Sequence, residues 1–221
     1  MNIELFDIVF PILVLIAVSG VLFARAAFRR RRSGNIQKQA AKLRFEFFER
    51  PDAFPIKLPE VGIFTMGADP EPRNLIRRIG SGCELYILDY KFGSRSFRRH
   101  TICKQTVALV ISRRQFPRFA MAPELFFLRW AAYAGYQDID FESHPVFSKN
   151  YLLRGKDESQ VRELFQPRIL SHFEAAKGWT VEGEGPYLVV HRSGKVLSPA
   201  ALPEMIRETE RIAAVFDLPV D

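Results

Sequence analysis

Residues 8–24 (IVFPILVLIAVSGVLFA) run for 17 positions without a charged side chain, and Arg25 and the cluster Arg29-Arg30-Arg31-Arg32 follow. As a helix rising ~1.5 Å per residue, the run covers roughly 25 Å. That is slightly less than the ~30 Å hydrocarbon core of a bilayer. Phe6 and Phe28 extend the apolar surface, and Asp7 and Arg25 can snorkel at its ends. Pro11 falls in the first turns, where a missing N–H does least harm. A cleaved signal peptide needs a basic start, whereas this chain begins MNIELFD, and no convincing small-residue cleavage site follows the run, because Arg-rich sequence begins at once. A soluble core helix rarely ends in such a basic cluster, and a helix lying in the interface needs a polar face. The pattern predicts one transmembrane helix over residues 8–28, with residues 1–7 outside. The one-sided basic flank places the rest in the cytoplasm, at the cell membrane. Gly20 and Ala24 form a small-xxx-small pair, read either as a helix-pairing face or as ordinary membrane-helix composition.

The same flank accounts for the charge of the chain. The formal net charge is +7, yet residues 1–44 hold eight Lys/Arg against Glu4 and Asp7, which leaves the remainder nearly neutral. A nucleic-acid binder keeps its basic excess on the folded domain, so nucleic acid is not an expected partner. Arg25, Arg29, Arg30, Arg31, Arg32, Lys38 and Lys42 are the candidate contacts to anionic lipid, each contributing ~1 kcal/mol near a charged surface. In the reducing cytoplasm Cys83 and Cys103 are expected as free thiols.

Residues 29–72 read as a basic connector and Pro-rich lead-in. Ser33-Gly34-Asn35 breaks the helical pattern, after which Ile36, Ala40, Leu43 and Phe47 recur at helical spacing. That stripe either rests on lipid or packs on the domain. Pro51, Pro55, Pro59, Pro70 and Pro72 make the next stretch irregular.

Residues 73–221 read as a cytoplasmic α+β domain, with a mainly antiparallel sheet and two or three packed helices. Residues 83–92 and 101–112 are rich in β-branched and aromatic side chains, and residues 93–96 between them carry turn chemistry, so a hairpin is expected. A turn near residues 94–95 sets Cys83 almost opposite Cys103: a redox-sensitive pair, or two small buried side chains. Residues 116–122 read as a short strand and residues 147–155 as another. Pro123 opens a helical turn that runs to Tyr133 and ends at Gly135. Asp157 with Gln160 forms a helix start, and Pro167 kinks or splits that helix. Residues 180–190 contain a Gly183-Glu184-Gly185-Pro186 turn and read as a second hairpin. In a final helix, residues 198–216, Leu202, Met205, Ile206, Thr209, Ile212 and Phe216 share one face.

Chemistry-bearing motifs are scarce. No phosphate loop, dinucleotide fingerprint, nucleophile elbow or zinc signature occurs, and no cofactor is expected. His100, His144, His172 and His191 are scattered. In residues 137–145 (QDIDFESHP), Asp138, Asp140, Glu142 and His144 alternate with Ile139 and Phe141. As an extended segment these four groups share one face, the geometry of a metal or acid–base site. Same-face neighbours lie ~7 Å apart, however, so one ion cannot be reached by all four. The alternative is a half-buried strand with its charges in water.

Leu88-Asp89-Tyr90, Gln105-Thr106-Val107, Phe119 with Pro123-Glu124, residues 135–141 (GYQDIDF), Phe147-Ser148 with Tyr151, and Val161-Arg162 with Leu164-Phe165 form a set over residues 73–200. In that set the chain resembles a family of uncharacterised bacterial membrane-anchored proteins, with one or a few N-terminal helices and a cytoplasmic domain. The resemblance implies the anchor and supplies no catalytic residues. The leading reading is a non-enzymatic module that binds a protein partner, a lipid head group or itself. Exposed aromatics at Phe45, Phe47, Phe48, Phe54, Phe126, Phe127 and Trp130 would favour it; core packing is their other role. The alternative is a metal- or thiol-dependent enzyme built on Asp138, Asp140, Glu142 and His144, or on Cys83 and Cys103.

Overall fold

The computed structural model describes residues 5–96, 99–124 and 137–219. Its first element, α1 (Leu5–Lys42), is one continuous helix of 38 residues, ~57 Å long. It is long and apolar enough to cross a membrane: an 18-residue window has a mean hydropathy of 2.1, and none of it is buried. The break expected at Ser33-Gly34-Asn35 does not occur. A mid-helix glycine costs ~1 kcal/mol relative to alanine, but tertiary contacts outweigh it here. Ile36, 3% exposed, and Ala40 are buried in the main core, and the Ser33 hydroxyl donates to Asn74 Oδ1 at 2.7 Å. The stripe of Ile36, Ala40, Leu43 and Phe47 therefore packs on the domain. The helix closes in a Schellman turn: Phe45 N donates to Ala40 O at 2.9 Å and Arg44 N to Ala41 O at 3.3 Å, with Arg44 left-handed at φ 60°.

The chain then enters the sheet sooner than its prolines suggest. After β1 (Glu46–Phe48), short 3-10 turns at Pro51–Ala53 and Gly62–Thr65 precede β2 (Ala68–Ile79). Pro70 and Pro72 are tolerated inside β2 because β1 pairs only with Leu75–Arg77, leaving the proline end an open edge. β3 (Cys83–Ser96) and β4 (Arg99–Pro123) form the expected hairpin, but Gly93–Ser96 continue the strand, and pairing runs out to Ser96 opposite Arg99. Residues 116–122 are the far end of β4, which is 25 residues long. The helical turn expected from Pro123 to Gly135, with Phe126, Phe127 and Trp130, lies outside the described residues, although Pro123 itself ends β4. Next come α2 (Pro145–Asn150), β5 (Tyr151–Gly155), α3 (Glu158–Leu164) and α4 (Pro167–Ala175). The last elements are β6 (Thr180–His191) and α5 (Leu202–Val215).

Two segments correct the sequence reading. Residues 147–150 are helical, not extended: Pro145 starts α2, and the turn stacks Phe147 on Tyr151 with ring centroids 5.4 Å apart. Residues 180–190 are one strand, not a hairpin, because both of its arms pair with β4 rather than with each other. The Gly/Pro cluster marks an irregularity opposite residues 111–119 of β4, where Gly185 takes φ 56°. There β6 bends sharply. Glu182 and His191 would lie ~30 Å apart on a straight strand, yet their side chains meet at 3.4 Å. Elsewhere the expectations hold: Asp157 Oδ1 accepts from Gln160 N at 3.1 Å, Pro167 starts a separate helix, and the named face of α5 is buried.

Among the described residues the architecture is α+β, a six-stranded antiparallel sheet ordered β1-β2-β3-β4-β5, with β6 also paired to β4. Over Leu85–Leu88 both faces are covered, which is why that stretch of β3 is apolar throughout. Leu85 and Ile87 face the core beneath α2–α5, while Tyr86, Leu88, Tyr90 and Phe92 face the arm that carries Val61 and Ile63. Phe45 and Phe47 pack with the first cluster, and Phe48 and Phe54 with the second, so these aromatics are core residues.

Gly34 sits in regular helix with nothing within 4 Å of a would-be Cβ. Gly34→Ala is expected to stabilise the chain by ~0.5–1 kcal/mol, and Gly34→Pro to destabilise it by ~3 kcal/mol. Thermal unfolding of the full chain in one detergent checks both; equal tolerance of Pro would contradict a continuous α1.

Candidate functional site

The helix and sheet are joined by a compact polar knot. Asp89 lies on β3 in an otherwise apolar run, and Arg32 of α1 grips both of its oxygens: Nε donates to Oδ2 at 2.8 Å and Nη2 to Oδ1 at 2.6 Å. Asn74 Nδ2 donates to Oδ2 at 2.8 Å and Thr106 Oγ1 to Oδ1 at 3.3 Å. These four bonds saturate the carboxylate. Asn74 reaches it because β2 is irregular between Arg73 and Ile76, where Asn74 takes φ 53°. The Arg32 and Asp89 side chains are only 20% and 19% exposed, so the bidentate pair is sheltered from water. Thr106 also accepts from Leu197 N at 3.0 Å, and Gln105 Oε1 accepts from Gly194 N at 2.9 Å. The knot therefore fixes the segment around Val196 as well.

Above the knot, toward the N-terminus of α1, helix and sheet diverge around a cleft of about 690 Å³. One wall is α1, with Val21, Ala24, Arg25, Phe28 and Arg29; the other is β2–β4, with Arg73, Lys91, Ile102 and Lys104. Val21 and Ala24 belong to the charge-free run, so the cleft begins beside apolar helix and ends at the knot. The distance from Val21 to Ser33 along the axis is ~18 Å. Phe28, Ile102 and Val196 stand on its rim, 73%, 60% and 44% exposed. Six cations and two carboxylates line it. Asp89 is taken by Arg32 and Glu71 by Lys91 at 2.5 Å. Among the described residues no carboxylate is salt-bridged to Arg25, Arg29, Arg73 or Lys104. The Lys91 hydrogen bond, with the charges of Lys91, Arg73 and Arg29, holds the Glu71 carboxyl below its ordinary range.

The seven basic residues singled out in the sequence thus part company. Arg25, Arg29 and Arg32 line the cleft, with Arg32 committed to Asp89; Arg30, Arg31, Lys38 and Lys42 are exposed elsewhere on α1. The acidic segment does not converge. Residues 138–140 are irregular, and Asp138 alone turns inward, where Oδ1 accepts from Leu153 N at 2.9 Å and Ile139 N at 3.1 Å. Its burial pushes the carboxyl above its ordinary range. Asp140 and Glu142 are exposed, and His144 lies against Ser143 and Ser171 hydroxyls at 3.0 and 3.4 Å. Among the described residues no three His, Cys, Asp or Glu side chains gather as a metal site.

The cysteines are buried and not joined in a disulfide, and they are not opposed. Cys83 pairs with Ser112 and Cys103 with Phe92, so they lie nine positions apart along the ladder and on opposite faces. Pairing continues past residues 94–95 to Ser96 opposite Arg99, and that offset separates them. A second, smaller cleft of about 270 Å³ lies between Trp179, Arg192 and α5, with the Arg192 guanidinium 4.4 Å from the Trp179 ring centroid. No enzymatic site is evident among the described residues.

Sequence reasoning misses the knot because Arg32 and Asp89 are 57 positions apart. A local signal exists: a single carboxylate within the apolar run of residues 85–90 demands a partner.

Comparison with known proteins finds no matching family model and no matching curated protein. Among solved structures, the crystal structure of the mycobacterial trehalose monomycolate transport factor A, TtfA, is similar at a TM-score of 0.57. The match covers 87% of this chain and 98% of that one, at 11% identity, and is a likeness of fold.

Two outcomes test these placements. Asp138→Asn keeps the acceptor for Leu153 N and is expected to be near neutral, whereas Asp138→Ala strands that amide at a cost of ~1–3 kcal/mol, Ile139 N keeping its bond to Leu153 O at 2.8 Å; a metal role would make both changes equally harmful. Asp89→Ala leaves Arg32 without its counter-charge and is expected to cost roughly 3 kcal/mol. Arg32→Met with Asp89→Asn should cost clearly less than the two single changes summed. Denaturant titration of the full-length variants in one detergent measures all of these.

Proposed function

We propose that this chain is a single-pass membrane protein whose α+β domain stands on the cytoplasmic face and acts as a non-enzymatic accessory factor in lipid handling. The observation that carries this reading is α1. From residue 10 to residue 31 every side chain is exposed, and the same helix then continues, locked by Arg32, into the sheet. In water such a surface is an aggregation liability, and in a bilayer it is the required solvation. The basic residues beyond the run favour the cytoplasmic side for the domain. TtfA, the protein of similar fold, is by name a transport factor for a glycolipid. We extend to this chain only the class, a factor in lipid transport, and not that substrate. A rigid platform holding an open cleft next to the bilayer suits such a role.

The test is topological and then physiological. The full chain is expected to stay with membranes through carbonate washing. A cysteine placed at Asn2 should react with an impermeant maleimide in intact cells, and one at Lys177 only after permeabilisation. The reverse pattern would overturn the orientation, and release by carbonate the anchor. Deleting the gene should alter the distribution of an envelope lipid without lowering its rate of synthesis; a lowered rate would favour an enzyme instead.

A further inference from the structure

We propose that the cleft between α1 and the sheet is a binding site for one anionic phospholipid of the cytoplasmic leaflet, with its phosphate among Arg29, Arg73 and Lys104 and its acyl chains along Val21, Ala24 and Phe28. The inference rests on the membrane-anchored, cytoplasmic reading above and names what the domain would hold there.

Depth fits such a ligand. Arg32 lies eight positions beyond Ala24, the last residue of the apolar run, which is ~12 Å along the helix. The polar layer of one leaflet is roughly 5–8 Å thick. The cleft, bounded by Val21 above and Ser33 below, therefore starts within the hydrocarbon edge, crosses the head-group layer and closes on the knot just beneath it. A lipid can enter it from the side without leaving the membrane.

Charge fits as well. The two carboxylates of the cleft are each bonded to one of its cations. That leaves Arg25, Arg29, Arg73 and Lys104 as a positive surplus drawn from three separate elements, α1, β2 and β4. Sheet residues Arg73 and Lys104 are not part of the helix's basic flank, so a polybasic tail alone does not explain them. The apolar wall then separates lipid from a soluble anion. An ion in water has no use for Val21, Ala24, Phe28, Ile102 and Val196 around its charge, whereas a phospholipid needs both kinds of surface. A volume of about 690 Å³ is in the range of small-molecule sites and accommodates a head group with the start of its chains.

The test uses the full chain in nanodiscs of mixed phosphatidylcholine and phosphatidylglycerol, with retained lipid read by native mass spectrometry. Wild type is expected to keep one phosphatidylglycerol in preference to phosphatidylcholine. Arg29→Gln/Arg73→Gln/Lys104→Gln should lose that preference by roughly fivefold for each cation removed. Arg31→Gln/Lys38→Gln/Lys42→Gln removes the same charge outside the cleft and should lower the preference far less. Ala24→Trp fills the apolar wall without touching the charge and should also evict the lipid. Unaltered melting temperatures for the variants exclude misfolding as the cause. Equal losses in the two triple variants would reduce the effect to general surface attraction and overturn the proposal. So would retention with no lipid preference, or displacement of the lipid by inorganic phosphate. A wild-type chain that fails to enter nanodiscs at all would instead bring down the membrane reading on which the proposal stands.

Discussion

The ion pair between Arg32 and Asp89 is the constraint on which the arrangement depends. A carboxylate sheltered between helix and sheet is costly unless its oxygens are fully used. Asp89 uses them on three different elements, through Arg32 of α1, Asn74 of β2 and Thr106 of β4. Each partner then fixes something further. Asn74 takes a left-handed conformation and interrupts the β2–β3 register. Thr106 accepts from Leu197 N and so holds the segment that carries Val196. Arg32 sets the depth of α1, which brings Ile36 and Ala40 into the core. Buried pairs of this kind give modest net stability, because desolvation offsets much of the attraction. Their contribution here is to specify a single seating of helix on sheet.

β4 does for the sheet what the knot does for the helix. One edge of this strand is shared by β3 and β5 in turn, while β6 follows the other edge through the irregular stretch of residues 111–119. The bend there needs bare backbone on β6. A Cβ on Gly183 would come within 2.3 Å of the Phe119 ring. Phe119 itself packs among Phe116, Phe165 and Phe216, with ring centroids 5.1 to 6.4 Å away. The glycine thus serves close packing on one side and the change of strand direction on the other.

What can be read in the sequence is local and periodic. The charge-free run, the Asp157 cap, the split at Pro167 and the buried face of α5 each depend on residues a few positions apart, and each is present. What cannot be read depends on partners remote in sequence. Gly183–Pro186 carries hairpin chemistry, and only the presence of β4 alongside turns it into a bend. Ser33-Gly34-Asn35 is a weak helix segment that the sheet stabilises. Turn chemistry at residues 93–96 sets the cysteines opposite each other by ending the strand a few residues too early, an error that shifts every pair in a ladder. The cleft draws on residues from 21 to 196, so no window of sequence contains it. Leu88-Asp89-Tyr90 and Gln105-Thr106-Val107, two stretches that carry the resemblance, nevertheless supply Asp89, Thr106 and Gln105 to the knot and the loop it holds.

The unbroken passage of α1 from its apolar run into the core has a consequence for azimuth. A helix turns by ~100° per residue, so the direction in which the domain faces around the axis of the apolar run is counted out by the residues between Ala24 and Arg32. One inserted residue would swing the sheet by more than a quarter turn, while three or four would nearly restore it. A flexible tether would leave the domain free to face any neighbour in the membrane. The continuous helix of the proposed anchor instead gives it a compass bearing, set by its own apolar surface.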